Sequence, residues 1–571
     1  MADSIRQLSE AYIARRGRLH RRYAELSKLP DASRLAYLCG PEHVWSEEEV
    51  AALWRQADGT GAGKETPQNN VYLHVPFCKS ICSFCNYERL RPSSPHMLQA
   101  WETRLFESVE RLGAATDHLE FHSLYVGGGT PSVLPPDQLE RVFTRLKQSF
   151  RWHPRASRHF EFDPAVMNRR KLDVLVNHGF SHFSFGIQTL RSDINAAHNR
   201  GPQNIEMVEK RFTEFHDQKL TRISCDFLAG LAGTRPEDIL AEINTVVSRF
   251  RPIWVDVFMI TPTAEYIDGH FDGSYPAFFE HLQPFQQQIP EGLARIARAH
   301  NYDYQPGQGH HLNLQRRDVQ KPKASNEVDF GYCQLVSESH RPLNLLGLGP
   351  SARSQIFGLA SFQNRNPSND PLVPGPPVYA GHPRSMATEA QAYLAHGLRD
   401  TDSIDRMEFQ RIFGADVTEV LPVALGAWLN EQVACIEPKQ VKLISQDRQN
   451  RTKQLLWMVP EEHLEHELAQ HMALDLSPAG LASLLHPLPL GIRLAGNVVL
   501  ESVEHATLRL RIPNDATRKV RVSPGLSPKG APQLLPYSLP ANDESKQQML
   551  GALRQLQRLI SRNHKPWVPA D

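Results

Sequence analysis

The residues whose types and spacing could do chemistry gather first at Cys78, Cys82 and Cys85, a Cys-x3-Cys-x2-Cys run just after the apolar stretch VYLHV. Three thiolates on one loop can each hold one iron of a [4Fe–4S] cluster, leaving the fourth iron without a protein ligand and open to a second molecule. Zinc held by the same thiols and His74 is the rival reading. Zinc sites, however, usually pair two Cys-x2-Cys knuckles, and the sequence has no second knuckle. Seven cysteines in 571 residues make no disulfide framework, and the scattered Cys39, Cys225, Cys333 and Cys435 read as packing residues.

Other candidates are weaker singly. GGGTP (127–131) removes every Cβ from a turn and lets backbone N–H groups approach a ligand, although it also reads as an ordinary tight turn. Glu161 closes HFEF and could accept from an ammonium or a hydroxyl. Gln188 closes FSFGI and can both donate and accept, while Arg200 can clamp a carboxylate through two bonds. Asp226, after ISC, could accept from the two hydroxyls of a ribose or cap the helix that follows. GHHLNLQRR (309–317) offers His310 and His311 as acid/base or haem-ligating groups, or as plain polar loop residues. GAGKET lacks the Gly-x4-Gly-Lys-Ser/Thr spacing of a phosphate loop and reads as linker.

The elements that must position these residues alternate. Short β-rich runs (VYLHV, LYVGG, HFEF, HFSFGI, ISCDFL, WVDVFMI) are separated by helical patterns at 97–112, 136–149, 168–178, 204–217 and 236–249. The pattern predicts an α/β fold, a partial (β/α)6 TIM-type barrel with its working residues on the loops after the strands. The expected organisation is a helical N-terminal extension over 1–65, the barrel over 66–360, a Pro- and Asn-rich linker over 361–387, a helical module over 388–485 and an α+β tail over 486–571. Residues 262–345 read as a helix near 275–300 plus an irregular cover on the substrate side.

Composition narrows the function classes. Lys plus Arg (63) balances Asp plus Glu (63), which gives no electrostatic case for a nucleic-acid binder. No apolar run approaches the ~20 residues that span a bilayer. The N-terminus shows no signal-peptide pattern, so a cytoplasmic location is expected.

YLHVPFCKSICSFCNY resembles the cluster loop of radical S-adenosylmethionine (SAM) enzymes, in the group typified by anaerobic coproporphyrinogen III dehydrogenase, which includes haem-chaperone and class C methyltransferase relatives. GGGTP, EFDP (161–164), FGIQT (185–189), Asn199-Arg200, CDFLAGLAG (225–233) and LLGLGPSARS (345–354) follow in the family's order, so the resemblance covers about 70–355 and, more weakly, 385–470. It implies a [4Fe–4S] cluster on Cys78, Cys82 and Cys85, and SAM contacts at Tyr72, Phe84, Gly128, Gly129, Thr130, Glu161, Gln188, Arg200 and Asp226. It also implies two SAM molecules, a one-electron donor such as flavodoxin or ferredoxin, and a small-molecule substrate that is a tetrapyrrole or another conjugated ring.

Reductive cleavage of SAM to a 5′-deoxyadenosyl radical is the chemistry such a cofactor pair brings. Methyl or methylene transfer from the second SAM to an sp2 carbon is the expected outcome. Oxidative decarboxylation by an oxygen-independent coproporphyrinogen dehydrogenase, haem binding by a chaperone, and a degenerate barrel kept for assembly are the alternatives. Transfer is favoured over decarboxylation because the SAM-site residues match while the cluster flank does not: Asn86-Tyr87 follows Cys85 where the dehydrogenase has Gly-Cys; Arg353, where a small or apolar residue is expected, is a second departure and bears on the substrate.

Overall fold

The computed structural model describes residues 13, 42–57, 67–85, 87, 89–261, 263–305, 311–318, 342–365, 377–400, 402–444, 455–464, 493–504, 507–515, 517–526, 532–536 and 542–562. Most of the expected N-terminal extension, the GAGKET linker, Cys39, Asn86, His310 and Cys333 lie outside the described residues. The contacts divide the chain into two units, one of residues 1–260 and 285–464, the other of 261–284 and 465–571.

In the first unit, thirteen strands form one sheet. They are β1 (His43–Trp45), β2 (Gln68–Val75), β3 (Glu120–Gly128), β4 (Arg151–Phe162), β5 (His182–Gln188), β6 (Arg222–Ala229), β7 (Trp254–Met259), β8 (Tyr302–Gln305), β9 (His311–Arg316), β10 (Leu343–Leu348), β11 (Arg353–Ile356), β12 (Ala360–Arg365) and β13 (Val378–Pro383). Their order is β1-β13-β12-β11-β10-β2-β3-β4-β5-β6-β7-β9-β8. From β2 to β7 every neighbour is parallel and consecutive in the chain. These six are the strands expected from the sequence. Among the described residues the ladder is open, with β1 and β8 as its edges.

Parallel neighbours need crossovers, which are supplied by α1 (Glu47–Arg55) before β2 and then α2 (Pro95–Ala115), α3 (Pro136–Ser149), α4 (Arg169–Asn177), α5 (Ser192–Ala197), α6 (Ile205–Asp217) and α7 (Pro236–Phe250). Local sequence sets where they begin. Proline occupies the first turn of α2, α3 and α7, where its missing N–H costs nothing. Asn168 and Asn204 cap α4 and α6 by accepting from Lys171 N and Met207 N.

Strict alternation along β5, β6 and β7 gives the sheet two unlike faces. Phe183, Phe185, Ile187, Cys225, Phe227, Val255 and Val257 are buried on the helix side, with Phe162 stacked on Phe215 and Phe212 on Phe250. Each such side chain stabilises the fold by ~1.5–3 kcal/mol. The other, inner face carries the polar partners: Ser184, Gly186 and Gln188, then Ser224 and Asp226, then Asp256.

Three expectations are corrected. The stretch 361–387 is more than a linker, because β12 and β13 in it pair with each other and extend the main sheet. Residues 43–45 pair with β13, so this part of the N-terminal segment belongs to the sheet. The irregular cover contains β8 and β9, which add antiparallel to β7, and His311 therefore sits on a strand. The helix near 275–300 is present as Tyr275–His300.

The helical module holds Met386–Asp400, Arg406–Phe413, Val417–Val420 and Pro422–Asn430, joined by a small three-stranded sheet. In the second unit, Val499–Glu504, Thr507–Arg511, Arg518–Leu526 and Pro532–Pro536 form an antiparallel sheet, accompanied by the helix Asp543–Arg562. No described helix is long and apolar enough to cross a membrane.

Candidate active site

The three motif cysteines lie on the loop after β2, each partly exposed and none disulfide-bonded. The loop is closed at its base by Cys78 N donating to Leu90 O (2.9 Å) and Leu90 N to Pro76 O (2.6 Å). The glycine run lies against it. Gly129 N donates to Val75 O and Thr130 N to Phe77 O, both at 2.7 Å. A Cβ on Gly129 would stand 2.7 Å from Phe77 O and 3.0 Å from Cys78 Sγ, so only glycine admits this approach. Thr130 Oγ1 donates to Cys78 Sγ at 3.6 Å.

Gly128 adopts φ +110°, and its missing Cβ leaves room for the His74 ring, whose Nδ1 bonds Tyr72 Oη at 2.9 Å. That bond engages one of the two ring nitrogens of His74. Among the described residues no three His, Cys, Asp or Glu side chains converge as ligands of a single ion.

Arg200 bridges the loop to the end of β5. Its Nη1 points at Cys82 Sγ (3.9 Å), and its Nη2 donates to Gly186 O and lies 3.6 Å from Asp163 Oδ2. Its Nε is buried and has no hydrogen-bond partner among the described residues. Gln188, held at φ +65° beside a bulge, lies with Arg200 over Gly186, whose absent Cβ makes the space. A non-glycine residue in that region stores of order 1–3 kcal/mol, the kind of strain found where a side chain is aimed at a ligand.

Burial drives the titration of this set. The Cys78 thiol is pushed up to about 11 by burial, opposed by Thr130, and Cys82 is raised by burial, opposed by Arg200. Glu161 is raised by burial, against the stabilising bonds from Tyr125 Oη (2.5 Å) and the Gly128 N–H. Its carboxylate lies over Gly127, where a Cβ would come within 2.7 Å of Oε2. Asp226 accepts from Ser184 Oγ at 2.6 Å and stands well above the usual carboxylate range, first through burial and then through the charge of Asp256.

The nominated cluster and SAM residues sit on β2 to β6 or on the loops that follow these strands, with Phe84 beside His198 (ring centroids 6.0 Å apart), whereas His311 lies on β9. Sequence reasoning missed the struts. His198 takes Ser83 Oγ on Nδ1 (3.0 Å) and Ala232 O on Nε2 (3.1 Å), which ties the cysteine loop to the loop after β6. A carbonyl can only accept, so Nε2 carries a proton, and burial lowers the pKa of the ring. Asn199 Nδ2 holds Ile81 O at 2.7 Å, and Gln203 Nε2 holds Asp163 at 3.0 Å. The NR pair and the EFDP motif were the available signals. A cavity of about 780 Å³ in the helical module, lined by Tyr393, His396, Asp405 and Glu408, shares no residue with this site.

A parallel α/β sheet with a glycine-cradled cysteine loop at its strand ends defines the class, and the comparisons agree with it. Residues 72–246 match the radical SAM superfamily. The oxygen-independent coproporphyrinogen III oxidase of Salmonella typhimurium is 26% identical over 189 residues, 33% of this chain and 41% of that protein. The anaerobilin synthase of Escherichia coli O157:H7 is 28% identical over 196 residues (33% and 42%), and the heme chaperone HemW of Bacillus subtilis 26% over 189 (31% and 47%).

The chain thus spans about two-fifths of the length of the first curated relatives it matches. Coproporphyrinogen III oxidase (HemN) from Escherichia coli shares the fold at a TM-score of 0.57 and 19% identity, over 74% of this chain and 96% of that one. The superfamily's cofactors are SAM and a [4Fe–4S] cluster. The residues present fit both: three separate thiols, a glycine edge with no Cβ, and a buried guanidinium nitrogen open to a carboxylate.

Proposed function

We propose that the protein is a radical SAM enzyme acting on a tetrapyrrole. Cys78, Cys82 and Cys85 would hold the cluster. Gly128, Gly129, Thr130, Glu161, Gln188, Arg200 and Asp226, with Tyr72 and Phe84 at the edges, would seat SAM. The observation that carries the reading is the approach of Gly129 to Cys78 Sγ, a close packing of main chain against the thiol loop that only glycine admits.

Bound there, the cluster and SAM would supply a primary carbon radical to a substrate C–H or sp2 carbon. The chain's own residues do the positioning. Arg200 would offer Nε to the amino-acid carboxylate while Gly186 O and Asp163 hold its Nη2. Glu161, steadied by Tyr125, offers an acceptor to an ammonium or hydroxyl. Asp226 would accept from the ribose hydroxyls.

The tetrapyrrole is supported by what the relatives are named for: coproporphyrinogen III, anaerobilin and heme. Methyl or methylene transfer from a second SAM has no counterpart in those names, and it enters as one outcome of the test. Anaerobically reconstituted protein with dithionite, SAM and either coproporphyrinogen III or haem is expected to release 5′-deoxyadenosine, and Cys82→Ala to lose both that release and the brown colour. S-adenosylhomocysteine would report transfer, and carbon dioxide decarboxylation. Tight haem binding without SAM cleavage would point to a chaperone. One zinc per chain with no iron or sulfide would overturn the assignment. A flavodoxin or ferredoxin would replace dithionite in the cell.

A further inference from the structure

The inner face continues past the nominated SAM residues onto β7 and β9, the latter formed by the GHHLNLQRR stretch from His311 on. Register places Asp256 beside Asp226 on the neighbouring parallel strand, and opposite Asn313 on the antiparallel one. Alternate residues Val255, Val257, Leu312 and Leu314 are buried on the opposite face. Asp256, Asn313, Phe258 and His311 therefore share the face that carries Asp226, Ser184 and Glu161. His311 Nε2 meets Asp256 Oδ1 at 2.8 Å, and Asn313 Nδ2 reaches the same oxygen at 2.7 Å. The imidazole lies flat on Phe258, ring centroids 4.6 Å apart at 7°. Both partners stay about one-fifth exposed (20% and 22%), so a small molecule on this face can reach them.

The arrangement has a chemical meaning beyond joining two strands. A carboxylate can only accept, so His311 Nε2–H is the donor, and its charged form would be held by Asp256. The titratable groups facing the ring are Asp256 on β7, Asp226 on β6 and, beyond it, Glu161 on β4. Burial first, and then the charge of Asp256, hold Asp226 well above the usual carboxylate range. A fixed, partly open imidazole oriented by a carboxylate is the usual form of a proton-transfer group.

We propose that the Asp256–His311 pair is a proton-transfer site for the ring substrate, resting on the radical SAM reading above. The imidazole takes a proton from an N–H or C–H of the ring, whose bonding electron pair stays on the substrate. The resulting imidazolium sits against the Asp256 carboxylate and returns the proton to product or water. The step consumes no oxidant. Asn313 is a positioning residue that fixes the carboxylate.

The test has two arms on the full chain. In the first, coproporphyrinogen III and haem are the probes, with SAM and dithionite. Product formed per 5′-deoxyadenosine released is expected to fall about 100-fold or more in His311→Gln and in the isosteric Asp256→Asn, with the limb of the pH profile that reports the base lost in His311→Gln. A ratio within about threefold of wild type in both variants overturns the proposal. In the second arm, labelled-histidine NMR follows the His311 titration without cofactor or substrate. Asp256→Asn is expected to lower its midpoint by about one unit or more, and an unmoved midpoint overturns the pairing. If wild-type protein releases no 5′-deoxyadenosine with either probe, the parent reading fails and this proposal with it, while the NMR arm still tests the pairing by itself.

Discussion

The two flanks of the inner face are built by different means. Around β2 to β4 the site is made by backbone: Gly127, Gly128 and Gly129 bring main chain against Glu161, His74 and Cys78. Around β6, β7 and β9 it is made by side chains: Ser184 on Asp226, and His311 with Asn313 on Asp256. A backbone site tolerates almost no substitution at its contact points, so it leaves a compact signature such as GGGTP. A side-chain site assembles residues far apart in the chain, 55 positions for Asp256 and His311, and leaves no contiguous pattern.

The first flank breaks under the largest expected effect. Gly129→Val places a branched side chain where even a Cβ would stand 3.0 Å from Cys78 Sγ and 2.7 Å from Phe77 O. Neither atom can give way without moving the loop. Iron and sulfide bound after anaerobic reconstitution should fall about tenfold or more, with far-ultraviolet circular dichroism unchanged. Retention of a full cluster in Gly129→Val would show that the thiols do not need this approach.

That contrast also explains what was legible in the sequence. The six parallel strands and the helices between them were readable because each combines an unambiguous period with local stop signals: proline at the first turn of α2, α3 and α7, and asparagine caps on α4 and α6. The cysteine triplet, GGGTP, Gln188 and Arg200 were readable as motifs. The strands β12 and β13 were not, since proline and asparagine between them look like linker and the pairing that makes them strands is tertiary. His311 read as loop for the same reason: HHLNLQ acquires its strand from β7 on one side and β8 on the other. His198 and Asn199 are struts whose partners lie more than a hundred residues away, at Ser83 and Ile81.

A second way to sharpen the comparison is Lys171, a buried cation that serves the backbone flank. Its Nζ donates to Ser132 O (2.5 Å), just after the glycine run, and to Val166 O (3.2 Å). Burial lowers its pKa to about 8. Between that value and the ordinary lysine range near 10.5 the unfolded chain binds a proton that the folded chain has released, so stability rises with pH across this window. Relative to Lys171→Met, wild type should gain up to about 3 kcal/mol from pH 8 to 10.5, read from denaturant midpoints of the two proteins. A flat difference would mean the ammonium is well solvated.

On the side-chain flank the sign is opposite and the effect smaller. Asp226 is raised, so between the unfolded and folded values the native chain holds a proton that the unfolded chain has lost, and stability falls as pH rises through that window. Asp226→Asn removes the penalty and keeps an acceptor for Ser184 Oγ. Its thermal midpoint should exceed wild type by about 1–3 °C at pH 7, and the two should converge near pH 4. The variant should bind SAM more weakly while unfolding later, the trade expected of a site that holds an acid out of water for a ligand.

The smallest effect separates geometry from bonding at the joint between the flanks. Asn199 has φ +55° and also donates to Ile81 O at 2.7 Å, two reasons for asparagine at one position. Asn199→Gly keeps the left-handed backbone free of strain and loses only the hydrogen bond, a loss of about 0.5–1.5 kcal/mol for the cysteine loop. Asn199→Ala loses the bond and adds a Cβ penalty of roughly 1 kcal/mol in that region. If the bond is what steadies the loop, both variants should release cluster iron to a chelator a few-fold faster than wild type, with alanine only modestly ahead of glycine. If backbone geometry dominates, glycine should match wild type and alanine alone should lose iron. The second pattern would place this joint with the backbone-built flank, although its only visible contact to the cysteine loop is a side chain.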